Sequence, residues 1–177
     1  MKKVAALVSI ALFAWGNLAH AHGGTRQKVV ESIEINAAPD AVWNIIKDFG
    51  AAANWMPAVA SVKASNGSEQ GSVREVTMKK GGVVKEVLKE VDATTHTIKY
   101  RVDAEPDCAV FPVNNYSATL SVTPTGAGSK VEWLSAAYRC FTPNNPPPGQ
   151  DEKAAIEAMT TLSKESLANL KALAEKK

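Results

Sequence analysis

Tyr116-Ser117-Ala118-Thr119-Leu120-Ser121-Val122-Thr123 alternates large or apolar side chains with small hydroxyl residues. A period of two puts Tyr116, Ala118, Leu120 and Val122 on one face of a strand and the hydroxyls on the other, which predicts a strand buried on one side. Toward the C-terminus, Gly126 to Ser129 turns this strand into a second, Lys130 to Cys140. Toward the N-terminus lie a Pro-bounded loop, Glu105 to Val113, and another strand, Ile98 to Ala104. Ser72 to Met78 and Val83 to Val91 flank Lys79-Lys80-Gly81-Gly82, a hairpin signal. Val59 to Ala64, closed by Asn66-Gly67, completes the run. Successive strands joined by short turns predict an antiparallel meander.

Helical segments bracket the meander. Lys28 to Asn36 reads as one more strand, with Ile33 and Ile35 on one face. Pro39 then sits where a helix begins, Asp40 complements its dipole, and Val42, Ile45, Ile46 and Phe49 form an apolar stripe. Gly50 interrupts it, and Ala51 to Trp55 reads as a second short helical piece before Pro57. Asn144-Asn145-Pro146-Pro147-Pro148-Gly149 ends the sheet, because prolines donate nothing to a ladder. Asp151 to Ala174 follows as a long amphipathic helix, with Ile156, Met159, Ser163, Leu167, Leu170 and Ala174 on its apolar face. One long helix in the concavity of a bent sheet would cover that sheet's apolar face. The fold class expected is α+β, a bent antiparallel sheet gripping a C-terminal helix, with two short helices after the first strand.

The chain ends add a compartment. Lys2 and Lys3 precede an apolar run, Val4 to Trp15, and small residues lead to Ala19-His20-Ala21, the layout of a cleaved secretory signal. The run is too short to anchor the protein in a bilayer. The expectation is a signal peptide over residues 1–21, cleavage between Ala21 and His22, and one periplasmic domain over residues 22–177. Loss of Lys2 and Lys3 lowers the basic count from 20 to 18, equal to the 18 acids. A balanced charge gives no reason to expect nucleic acid or an anionic membrane as partner. Behind a signal peptide, Cys108 and Cys140 are a disulfide candidate. Two distant cysteines with His22 and His96 make no zinc spacing, so no metal or cofactor is expected.

Ile35-Asn36-Ala37-Ala38-Pro39-Asp40-Ala41-Val42-Trp43, Asp48-Phe49 and Trp55-Met56-Pro57 resemble the opening of the START-like, SRPBCC or polyketide cyclase-like superfamily. Gly71 to Val76, Glu86-x-Leu88-x-x-x-Asp92 and Asn115-Tyr116 follow in the same order, similar to strands of that superfamily's plant hormone receptors. The resemblance implies a helix-grip fold over the mature chain, with pocket-lining side chains at Glu86, Tyr100 and Tyr116. Pro112-Val113-Asn114-Asn115-Tyr116 and Val131-Glu132-Trp133 are similar, more narrowly, to MxaD-like periplasmic proteins of methanol oxidation systems. That likeness implies a non-catalytic accessory to a quinoprotein methanol (alcohol) dehydrogenase, with the dehydrogenase or its cytochrome as partner. A carrier or sensor of a small apolar or aromatic ligand is the second reading. A cyclase-like enzyme is the third, against which stands the lack of a Ser/His/Asp or Cys/His pattern.

Strand parity nominates the residues. A symmetric Lys79–Gly82 turn puts Val76 opposite Glu86 and Arg74 opposite Leu88, so that Arg74, Val76, Met78, Glu86 and Leu88 share a face. The next hairpin adds Tyr100. With Tyr116, Ala118, Leu120 and Trp133 beneath Ile156, Met159 and Ser163, these line an apolar pocket or simply fill a core. Arg74 and Glu86 read as a structural ion pair, as polar anchors for a ligand, or as a lone general base. Phe111 and Pro147 are the candidates for a partner surface, although Phe111 equally fits a plug in the pocket mouth.

Overall fold

The computed structural model describes residues 24–176 except 127. The expected signal peptide and its Ala21–His22 junction lie outside the described residues. A seven-stranded antiparallel sheet runs in the order β1-β7-β6-β5-β4-β3-β2. Its strands are β1 (Gln27–Ile35), β2 (Val59–Ala64), β3 (Val73–Met78), β4 (Val83–Asp92), β5 (Thr97–Val102), β6 (Val113–Pro124) and β7 (Ser129–Arg139). The helix α1 (Pro39–Ile46) and a 3₁₀ turn (Phe49–Asn54) carry the chain from β1 across to β2, and α2 (Glu152–Ala174) closes the fold. The expected helix-grip α+β architecture is the one found.

Local chemistry explains the elements. Pro39 opens α1 with its φ preset, and Val42, Trp43 and Ile46 form its buried face. Asp48 caps the 3₁₀ turn by accepting from Gly50 N at 2.9 Å. Asp151 caps α2 by accepting from Ala154 N at 2.8 Å. Arg139, at the end of β7, grips Glu152 through Nη1 at 2.9 and 3.1 Å and so fixes where α2 starts. The core lies between α2, the short helices and the concave face of the sheet, and includes Phe49, Leu88, Tyr116, Leu120, Trp133 and Met159. Ile156, expected on the buried face of α2, is 38% exposed; Ala155 takes its place in the core. No helix among the described residues is long and apolar enough to cross a membrane.

Two irregularities re-aim side chains. In β6 the register shifts between Asn114 and Ser117, with Asn115 at φ 51°. The extra residue lets Val113 and Tyr116 both point inward. In β4 the register shifts between Leu88 and Glu90. Leu88 is buried against Tyr100, and Val91, which strict alternation with Leu88 would turn to the other face, pairs with the buried Ile98.

Candidate functional site

The β3–β4 hairpin sets the inner geometry. Gly81 and Gly82 lie at φ 96° and 82°, which reverses the chain within a single loop: Met78 N donates to Gly82 O and Gly81 N to Met78 O, both at 3.0 Å. Val83 is thereby already paired with Thr77, so Arg74 stands opposite Glu86 and Val76 opposite Val84. The register is two residues away from the symmetric closure expected. A slip of two leaves every side chain on its face, and the inward set keeps its membership.

Arg74 and Glu86 are therefore direct cross-strand partners. Their side chains are 4% and 9% exposed, and Arg74 Nε donates to Glu86 Oε2 at 2.6 Å. Arg74 Nη1 donates to Phe49 O at 2.8 Å, and the guanidinium lies 4.1 Å from the centre of the Phe49 ring and 4.7 Å from that of Tyr100. The cation is held by a carboxylate, a carbonyl and two aromatic faces at once. Burial pushes the Tyr100 phenol well above its ordinary range, and neighbouring Tyr116 and Glu86 push the same way. Burial also raises Tyr116, again helped by Glu86. Both phenols thus remain neutral at physiological pH, and the cluster holds its charge in the Arg74–Glu86 pair.

Leu88, Tyr100, Tyr116, Trp133, Val76 and Met159 are buried in the same core. Trp133 packs on Trp55 at 5.7 Å, Tyr116 on Tyr100 at 6.5 Å, and Phe111 meets Tyr116 edge-on at 5.2 Å. Trp133 Nε1 and the hydroxyls of Ser135 and Ser166 are buried without a hydrogen-bond partner. The open cavity lies beside this core. It occupies about 540 Å³ between the first turns of α2, the β3–β4 hairpin and the loop before β6. Met78, Val110 and Phe111 form one wall; Ala154, Ala158, Thr161 and Leu162 form the other; Pro57 and Ala58 close one side. Lys79 and Lys80 stand on the hairpin rim and Glu157 and Glu165 on the helix rim. α2 packs on β1 and β7, and its N-terminal half faces the β3–β4 hairpin across the cavity.

Of the residues nominated from the sequence, Met78 and Phe111 line this cavity, Ile156 and Pro147 are exposed outside it, and the others are buried in the core alongside. Phe111 carries two readings, a partner anchor or a plug in the pocket mouth, and its burial matches the plug. It is 6% exposed and packed on Tyr116, so it plugs the mouth and offers no free anchor. Pro147 is exposed. The helix-side lining escaped the sequence reading, yet a signal was there: Ala154, Ala158, Thr161, Leu162 and Glu165 recur at helical spacing beside the main apolar stripe.

Cys108 and Cys140 form a disulfide, with Cα atoms 5.7 Å apart. It ties the loop that carries Val110 and Phe111 to the end of β7, where Cys140 N also donates to Pro112 O. Gly82 matters to the same mouth, since a Cβ there would run into Val110. Among the described residues no three His, Cys, Asp or Glu converge on a metal site.

A bent sheet around one long helix, with a cavity between them, defines a helix-grip fold. The chain belongs to the polyketide cyclase / dehydrase and lipid transport family, whose model matches residues 26–175. No curated protein matches it. Among solved structures it is similar to XoxI of Bacillus cereus, at 25% identity and a TM-score of 0.68, over 83% of this chain and 94% of that one. A protein of Nitrosospira multiformis is similar at 24% identity and TM-score 0.67, over 85% and 97% of the two chains. Norcoclaurine synthase of Thalictrum flavum, solved with dopamine and hydroxybenzaldehyde, is similar at 16% identity and TM-score 0.66, over 97% and 99%. The last two likenesses bear on fold alone.

Proposed function

We propose that this protein is an exported binding protein that holds one small molecule with an apolar body in the cavity between α2 and the β3–β4 hairpin. The observation that carries this reading is the cavity itself: apolar walls, charged groups only at the rim, and a mouth loop fastened by a disulfide. The size suits a ligand of one or two rings or a short chain. Among the described residues the buried charges are all engaged, Arg74 with Glu86 and Arg139 with Glu152, which favours binding over catalysis. The test is titration with the fluorescent probe 1-anilinonaphthalene-8-sulfonate. Ala158→Trp, which fills the cavity from the helix side, should abolish the saturable fluorescence gain while circular dichroism is unchanged. Equal dye binding by the filled variant would end this reading.

A second reading is a periplasmic accessory of a quinoprotein alcohol dehydrogenase. It is favoured by the MxaD-like motifs, by the likeness to XoxI, and by the exposed Pro147 in a proline-stiffened loop beside the mouth. Calorimetric titration of the purified dehydrogenase with wild type and Pro147→Ser separates the two: heat of binding from wild type that the variant loses supports the accessory role.

A further inference from the structure

Among the described residues β1 has β7 on one side and no strand on the other, so half of its backbone groups face outward along an open edge. Two contacts fix which half. The Ile35 carbonyl points toward β7, because a Cβ on Gly128 would run into it. Glu34 O, one residue back, points the opposite way and accepts from Lys171 Nζ at 2.7 Å. Lys28, Val30, Ser32 and Glu34 therefore direct their N–H and C=O groups to the free edge. Beyond Glu34 the edge is closed, since Asn36 N donates to Glu175 Oε1 at 2.7 Å. The side chains of Lys28, Val30, Ser32 and Glu34 are all exposed on the face turned away from α2. Val30, 48% exposed, is the most exposed large apolar residue among those described.

We propose that this edge is the interface for a second copy of the chain, with two β1 strands pairing antiparallel about a two-fold axis at Glu31. The stretch Lys28 to Glu34 has its midpoint there, and its sequence is self-complementary about it; the Glu34 carbonyl, which already accepts from Lys171, has a second lone pair for the ladder bond. Lys28 of each copy falls opposite Glu34 of the other, and Val30 opposite Ser32. The two Val30 side chains become diagonal neighbours, which removes an exposed apolar group from water on each copy. Sliding the register by two residues sets Lys28 against Ser32 or Asn36 and loses both ion pairs. Glu31 meets its own copy at the axis, and each Glu31 has Lys164 beside it at 3.8 Å to offset the like charge. The result is one continuous sheet shared by two chains, with both cavities at its far ends.

Light scattering coupled to size-exclusion chromatography of the full chain decides the matter. Wild type should elute at twice the chain mass, and Lys28→Glu or Glu34→Lys alone should weaken the dimer about tenfold or more, as two attractive pairs become repulsive. Lys28→Glu combined with Glu34→Lys should restore it. Ser32→Pro should give a folded monomer, because an edge strand tolerates proline but loses the ladder donor. A wild type that stays monomeric would overturn the proposal and leave the charges as guards against stray pairing. A dimer indifferent to the single reversals, or not rescued by the double, would overturn it as well.

Discussion

Replacing Arg74 with Met should be among the most damaging single changes in this protein. Arg74 and Glu86 are almost fully enclosed, and the guanidinium bonds Glu86 and the Phe49 carbonyl while lying over two rings. Removing it strands a carboxylate in the core, and breaking a buried pair in this way costs about 3–5 kcal/mol. Glu86→Leu strands the guanidinium instead; the Phe49 carbonyl and the rings still hold it, so its loss should fall at the lower end, about 3 kcal/mol. The double variant, Arg74→Met with Glu86→Leu, leaves no buried charge and should lie within about 1–2 kcal/mol of wild type. Equilibrium urea unfolding of the four proteins closes a double-mutant cycle, with a coupling energy of several kcal/mol expected. Losses that simply add, or a single Arg74→Met loss under about 1 kcal/mol, would refute the argument that the pair is a closed structural unit.

Two further outcomes follow from the same geometry. Reducing Cys108–Cys140, which are 32 residues apart, should lower stability by about 3.7 kcal/mol in the chain-entropy model. That corresponds to a fall in Tm of roughly 7–15 °C for a domain of this size, and an unchanged Tm would contradict it. Tyr100 and Tyr116 have phenols raised above the ordinary 10.0, so the stability they carry is complete below pH 10 and declines as pH climbs through their folded values. In an alkaline titration followed at the tyrosinate absorbance, these two should ionise only as circular dichroism is lost; early ionisation with the fold intact would mean that they reach solvent.

The fold was readable because both of its periods are regular. The Tyr116–Thr123 alternation and the Met159-Ser163-Leu167-Leu170 stripe each fix a buried face, and Pro146 to Pro148 mark where sheet gives way to helix. The inward set around Arg74, Glu86, Tyr100 and Tyr116 was also readable, because parity survives an error of two in register. What periodicity misses is local chain geometry. Paired left-handed glycines tightened the β3–β4 turn, and bulges in β4 and β6 turned Val91 and Val113 inward. The cavity was the least legible feature. It lies between α2 and the β3–β4 hairpin, a relation between distant elements that no stretch of sequence records.

Native mass spectrometry of the chain, purified from its own cells without denaturation, tests the central claim most directly. A ligand-holding cavity predicts a population heavier by one small molecule per chain, released on collisional activation and missing from Ala158→Trp prepared in parallel. Bare chain mass in the wild type after incubation with cell extract, or identical loading of wild type and the filled variant, would contradict it.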